Sequence, residues 1–128
     1  MKVDLSLIRR YFDELQIATR IDEDGDLVVV QDADEDFPYD VTIFITVLDG
    51  RLTYNAYAGE YTPPGDLLEV ANSHNCRSCI PVAVVRDGIL RMTYSFFLDE
   101  EVSEDHIKKN CIMFALSSIW QAFVNLEK

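Results

Sequence analysis

The chain has 128 residues, 48% of them hydrophobic, and 23 acidic against 11 basic residues give it a net charge of −12. This length and composition predict a single globular domain, residues 1–128, with a hydrophobic core. The negative charge argues against nucleic acid and anionic membranes as partners, since both are bound through an excess of Lys and Arg. No apolar run reaches the roughly 18 residues of a membrane span. The charged N-terminal stretch lacks the apolar centre of a signal peptide, so we expect a cytoplasmic protein.

The N-terminal part of the chain predicts a short helix followed by a strand. Asp4 or Ser6 can cap the helix, and apolar residues follow at helical spacing. These residues are Leu5, Ile8, Tyr11, Phe12 and Leu15. The β-branched run 27–31 follows an Asp-Gly turn and predicts a strand, and residues 17–21 are the candidate for a short strand paired with it.

Two hairpins and a helix follow. Residues 41–48 alternate between two faces, and Asp49-Gly50 is the dipeptide that a type I′ hairpin turn prefers before the return strand of Leu52, Tyr54 and Ala56. Thr62, with a proline in the next two positions, predicts the N-cap of a second helix that ends near residues 73–75. A second hairpin then joins strands 82–85 and 89–97 through Asp87-Gly88.

The last predicted helix, 103–126, is the most apolar element of the chain. Ser103 is a good N-cap, and Glu104 and Asp105 place negative charge where the helix dipole favours it. From Cys111 onward the apolar arc is about twice the roughly 100° of an ordinary surface helix. Its members are Cys111, Ile112, Met113, Ala115, Leu116, Ile119, Trp120, Ala122, Phe123, Val124 and Leu126. One sheet face cannot cover this arc, so either another helix of the chain or a partner must cover the remainder.

The predicted order of elements is α-β-β-β-α-β-β-α. Because consecutive strands are joined by hairpins, the sheet is expected to be antiparallel with the helices packed on it, which is an α+β fold.

The second half of this pattern resembles the YbjN-type domain, described as a putative bacterial sensory transduction regulator. The resemblance lies in residues 67–123: a helix with Asn72 and Asn75, the Pro-Val-Ala-Val-Val strand 81–85, the Asp-Gly turn, and a Val-Ser-Glu-Asp start at 102–105 to a long helix ending in aromatic residues. It implies a fold similar to that of type III secretion chaperones and a small, non-enzymatic, homodimeric protein with a binding surface. The Cys76–Cys79 segment and the acidic first third depart from the family pattern and leave the local function open.

Few residues suggest chemistry. Cys76 and Cys79 form a Cys-x-x-Cys pair, but it follows a helix rather than beginning one, so the thiols lack the activation that a helix N-terminus gives. His74 and Cys111 would complete four zinc ligands only if the fold gathered them. Residues 22–40 hold nine carboxylates without the glycine and glutamate positions of a calcium loop, and predict solvated loops or a docking edge for a basic partner.

We therefore predict a non-catalytic cytoplasmic protein that binds another protein and forms a homodimer, with no cofactor and no metal. The interface is expected to combine a sheet edge with the flank of the last helix at Met113, Trp120 and Val124. One alternative is a small-ligand-binding module with a pocket between sheet and helices. A less favoured alternative is a metal or redox protein that uses His74, the Cys76/Cys79 pair and Cys111.

Overall fold

The computed structural model describes residues 3–99 and 101–126. It contains an open antiparallel sheet of six strands and three helices, which confirms the α+β fold. The helices are α1 (Leu5–Glu14), α2 (Leu67–Arg77) and α3, which runs through Glu104–His106, a π-helical segment Ile107–Met113, and Phe114–Leu126. The strands are β1 (Arg20–Ile21), β2 (Leu27–Gln31), β3 (Val41–Leu48), β4 (Arg51–Tyr57), β5 (Val82–Arg86) and β6 (Ile89–Phe97). Their spatial order is β1-β2-β3-β4-β6-β5.

Both predicted Asp-Gly hairpins are present. Asp49 and Gly50 have φ values of 51° and 76°, and Asp87 and Gly88 have 53° and 74°. Positive φ at both central residues is the requirement of a type I′ turn, whose twist matches that of the strands it joins.

All three helices contribute to a single core on one face of the sheet. Alternate strand residues, among them Ile43, Ile45, Leu52, Tyr54 and Met92, are fully buried there against helix residues. We call this the inner face. The opposite, outer face carries no helix among the described residues, and its side chains are mostly exposed or half-buried.

Helix α1 begins as predicted at Asp4, whose Oδ1 accepts a hydrogen bond from the Leu7 amide at 2.9 Å. Lys108 ties α1 to α3: its Nζ lies 3.2 Å from Glu14, 3.5 Å from Glu104, and 5.3 Å from the centre of the Tyr11 ring. Partial desolvation lowers the pKa of Lys108, but the hydrogen bond to Glu14 and the charges of Glu104 and Glu14 outweigh it, so the pKa is raised overall.

Helix α2 begins four residues later than predicted, and its N-cap is Asp66 rather than Thr62. The Asp66 carboxylate accepts from the amides of Leu68 at 2.9 Å and Glu69 at 3.1 Å. The reason is Gly65, whose φ of 96° is incompatible with a helix and forces the first turn to start after it. The helix also runs past residues 73–75 to Arg77.

Strand β1 is shorter than the predicted 17–21. The chain leaves α1 through Gln16, whose φ is 61°, and the Ile17 amide then donates to the Phe12 carbonyl at 2.9 Å. This C-terminal turn uses the backbone of Ile17, so pairing with β2 starts only at Arg20.

Most of the wide apolar arc of α3 is covered within the chain. Its π-helical segment contacts α1, and its C-terminal segment contacts α2 and β6. Buried positions on α3 include Ile107, Cys111, Ile112, Ala115, Leu116, Ile119, Ala122, Phe123, Val124 and Leu126. The sheet also contacts α3 through polar groups, since the Tyr54 hydroxyl donates to the Cys111 carbonyl and Gln31 Nε2 donates to the Leu116 carbonyl at 3.2 Å. The chain itself, through the sheet and the other two helices, therefore covers most of the arc.

Gly50→Ala should destabilise the protein more than Gly88→Ala. Both changes force alanine into the left-handed region, at roughly 1–2 kcal/mol each. At Gly50 the new Cβ would also lie 2.9 Å from the Leu98 carbonyl oxygen, whereas nothing lies within 4 Å of the corresponding position at Gly88. The extra overpacking is expected to cost about 1–3 kcal/mol. Urea unfolding of both variants measures the difference, and equal losses would contradict the close approach at Leu98.

Tyr54→Phe should lower the free energy of unfolding by about 1–3 kcal/mol, because it leaves the buried Cys111 carbonyl without this donor. Burial, followed by the neighbouring Cys111 and Tyr94, raises the pKa of Tyr54 well above its usual value. The unfolded phenol ionises near pH 10 while the folded one stays protonated, so stability falls as the pH rises above about 10. This alkaline loss should be shallower in Tyr54→Phe.

Tyr94→Phe is the matched control, because Tyr94 is also largely buried on the inner face but its hydroxyl makes no hydrogen bond to another described residue. Its unfolding free energy at neutral pH should change little. A loss equal to that of Tyr54→Phe would show that the Cys111 contact contributes nothing specific.

Candidate functional site

The predicted interface residues on α3 differ in how much surface they offer. Met113 is 53% exposed, Trp120 is half-buried, and Val124 is only 8% exposed because its own chain covers it. Phe114, which the sequence interpretation did not include, is 55% exposed beside Met113. The exposed apolar flank of α3, which we call the α3 flank, therefore consists of Met113, Phe114 and the accessible part of Trp120.

Part of strand β2 forms an open edge of the sheet, and a hydrogen bond connects this edge to α3. Strand β1 pairs only with Leu27 and Val28, so the rest of β2 has no strand partner on that side among the described residues. Val30 is 44% exposed there. Gln31 at the end of β2 joins the edge to α3 through its bond to the Leu116 carbonyl, and its Oε1 is buried without a described partner.

The acidic loop 32–40 packs against the same side of α3. Phe37 is fully buried, and its ring centre lies 5.6 Å from that of Trp120 and 5.7 Å from that of Phe123. Asp34 Oδ1 accepts from the amides of Asp36 and Phe37 at 2.8 and 3.0 Å. The loop is thus anchored by an aromatic side chain while its acidic residues remain exposed, and the anchor is a feature that the count of charges alone did not predict.

The first acidic turn is organised by one of its own carboxylates. Asp22 Oδ1 accepts from the amides of Asp24 at 3.0 Å and Asp26 at 2.9 Å. Desolvation and the charges of Asp22 and Asp24 raise the pKa of Asp26. Asp22 therefore has a structural role in closing the turn between β1 and β2.

The structure does not bring the cysteines and His74 together. His74 is buried, and its Nε2 lies 2.8 Å from the Pro81 carbonyl, with which it forms a hydrogen bond. Cys111 is buried in the core, and burial raises the pKa of its thiol. Cys76 and Cys79 are exposed at the end of α2. Within residues 3–99 and 101–126, no three His, Cys, Asp or Glu side chains form a group that could hold a metal ion.

A surface cavity of about 400 Å³ lies between the end of α2, Pro81 and the polar side of α3. The polar groups that line the cavity are largely used within the chain: Arg77 Nε donates to the Ser73 carbonyl, Ser78 Oγ to the Ile80 carbonyl, and Gln121 to Asn125. The core occupies much of the space between sheet and helices, where the ligand-binding alternative places its pocket, and a second cavity of about 270 Å³ lies at one end of this space, lined among others by Tyr57, Leu67, Leu90 and Phe123.

Comparison of the chain with protein-family models, with curated proteins and with solved structures found no match. The resemblance to the YbjN-type domain therefore stays a prediction. None of the described helices is long and apolar enough to cross a membrane.

Two thiols should react quickly in the native protein and a third only after unfolding. Cys76 and Cys79 are exposed, whereas Cys111 is buried and its thiol has a raised pKa, which lowers the fraction of reactive thiolate. A chromogenic disulfide reagent measures the two phases. In the Cys76→Ser/Cys79→Ser variant the fast phase should vanish and the slow one remain, and rapid labelling of Cys111 in that variant would contradict its burial.

Proposed function

We propose that this chain is a non-catalytic cytoplasmic protein that binds other proteins and works as a homodimer. The observation that carries the proposal is the α3 flank. Met113 and Phe114 are neighbouring large apolar side chains, each more than half exposed, on a helix whose other apolar residues are mostly covered. Because adjacent helix residues project about 100° apart, the two side chains lie on neighbouring sides of α3, and a partner surface wide enough to cover both would remove them from water.

The open edge of β2 extends this surface. Leu116, whose carbonyl is bonded to Gln31, lies about one helical turn beyond Met113, so the flank and the edge lie on connected parts of the molecule. Two copies related by a twofold axis would place the same side chains on both sides of the interface. The exposed carboxylates of residues 32–40 lie near this region, so the dimer should be weaker at low ionic strength, where like charges repel most strongly.

The non-catalytic part of the proposal draws on the distribution of reactive side chains. His74 is bonded to a backbone carbonyl, and Cys111 is in the core. The resemblance of residues 67–123 to YbjN-type domains, which together with the wide apolar arc motivated the expectation of a dimer, implies the same.

Light scattering across a dilution series, with and without reducing agent, tests the dimer. We expect a dimer that does not depend on oxidation, because no thiol belongs to the α3 flank. Met113→Glu should weaken dimerisation by at least about tenfold, since burying a methionine side chain contributes roughly 1.5–3 kcal/mol and a glutamate would replace that gain with a desolvation cost.

Leu68→Glu is the matched control, because Leu68 is 68% exposed on α2 and lies outside the α3 flank. It should leave the solution mass unchanged. A wild-type protein that is monomeric at high micromolar concentration would refute the dimer, and equal weakening by Leu68→Glu would refute the assigned interface.

A further inference from the structure

The outer face of the sheet has an unusual charge for this protein. The pairing register and the alternation of side chains along each strand determine which residues of the six strands lie on this face. The outward positions are Arg20, Val28, Val30, Thr42, Phe44, Thr46, Leu48, Arg51, Thr53, Asn55, Tyr57, Val82, Val84, Arg86, Ile89, Arg91, Thr93, Ser95 and Phe97. Four are arginines and none is Asp or Glu, although the chain has 23 acidic and only 11 basic residues.

These four arginines, which define what we call the arginine face, have no acidic partners in the structure. Within the described residues, no carboxylate oxygen lies within 4.0 Å of Arg20, Arg51, Arg86 or Arg91; the ion pairs found there involve Lys108 instead. Carboxylates such as Asp49 and Asp87 occur in the hairpin turns at the rim. The positive charge of the face is therefore not neutralised from within it.

Arg91 and Arg86 lie together on β6 and the edge strand β5. Arg91 lies opposite Val84 on β5, and Arg86 lies two residue pairs further along, opposite Ile89, so the two arginines are diagonal neighbours on the same face. The Arg91 guanidinium lies 5.5 Å from the centre of the Tyr57 ring, and Tyr57 stacks on Phe44 at 5.8 Å with an interplanar angle of 8°. Cationic groups thus lie beside a flat aromatic surface that spans the middle of the sheet.

Polar atoms in the same region lack partners. The Arg91 Nε and the Asn55 Oδ1 are buried and make no hydrogen bond within the described chain. Hydroxyl groups lie on the same face: Thr93, opposite Asn55, donates to the Val82 carbonyl at 3.4 Å, and the oxygens of Thr53 and Ser95 lie 3.2 Å apart in a hydrogen bond to each other. The donors that match carboxylate oxygens are therefore those of the guanidinium groups, and Arg binds carboxylates in a planar, two-bond geometry.

We propose that the arginine face binds an acidic segment of a partner protein in which carboxylates alternate with aromatic or aliphatic side chains. The carboxylates would meet Arg86 and Arg91, and the apolar side chains would lie on Tyr57, Phe44 and Val84. Charge complementarity identifies the occupant, because the face is positive, unpaired and partly apolar.

A second copy of this chain does not fit the same face. Stacking two copies face to face would set arginines against arginines without an intervening carboxylate, and like charges opposed in an interface are unfavourable. Nucleic acid fits less well than an acidic segment, because its dense phosphate charge is repelled by the net charge of −12, whereas a short peptide carries few charges.

The inference rests on the proposed protein-binding function but uses a different surface from the dimer. Met113→Glu, which addresses the dimer, should leave binding at the arginine face intact. Loss of the dimer and loss of the acidic partner are therefore separate results.

Fluorescence anisotropy with a labelled peptide in which Glu and Phe alternate tests the proposal on the full chain. We expect saturable binding that weakens with added salt, since exposed charge pairs are screened. Arg86→Gln/Arg91→Gln should weaken binding by at least about tenfold, because it removes both charge-assisted contacts. The same peptide with Gln in place of Glu should bind much more weakly.

Arg9→Gln/Arg10→Gln is the matched control, since it removes the same charge from exposed positions on α1. It should leave the affinity within about twofold of the wild type, because these arginines lie on the helical side. Equal weakening by both double variants would overturn the proposal, since it would show attraction to net charge alone.

A labelled single-stranded oligonucleotide completes the test. Weaker binding of the oligonucleotide than of the Glu-Phe peptide supports the proposal. Tighter binding that is lost in Arg86→Gln/Arg91→Gln would overturn it and identify a nucleic-acid surface, as would the absence of saturable peptide binding.

Discussion

The packing of α3 on the inner face is the interaction on which the rest of the molecule depends. A helix this apolar can be covered only if α1, α2 and the sheet all contribute, and each of them does. The bond from the Tyr54 hydroxyl to the Cys111 carbonyl connects the central part of the sheet to the π-helical segment. Because the helices cover the inner face of the sheet, the outer face is the one exposed to solvent. The two faces therefore carry chemically different side chains.

Local sequence signals predicted much of the fold, and their failures have local causes. Asp49-Gly50 and Asp87-Gly88 predicted both hairpins because type I′ turns need residues that accept positive φ. The predicted start of α2 was wrong. Thr62 has the sequence features of an N-cap, but the positive φ of Gly65 prevents a helix from beginning before it, and this φ value is known only from the structure. The leading strand was too long because the turn that ends α1 at Gln16 and Ile17 could not be foreseen from apolar spacing.

The candidate surfaces were harder to predict than the fold. Helical periodicity identified Met113 and Trp120 as members of a wide arc, but it could not say that Val124 would be covered. The same periodicity places Phe114 between the polar positions Gln121 and Asn125, where the structure exposes it. The arginine face was missed because net charge averages over the whole chain. Its signal was nonetheless in the sequence: Arg51 and Arg91 occupy the polar phase of alternating strands, each two residues from a threonine of the same strand, and strand alternation assigns them to one face.

Both ends of the described chain lie on the helical side of the sheet. Val3 and Leu126 belong to the core cluster formed between the helices and the inner face, on the side opposite Tyr57 and Arg91. A surface anchor or a fluorescent protein attached at Val3 or Leu126 would therefore start from the side of the sheet opposite the arginine face. The architecture thus suits display formats in which the molecule is attached through its helical side while the outer face of the sheet stays accessible.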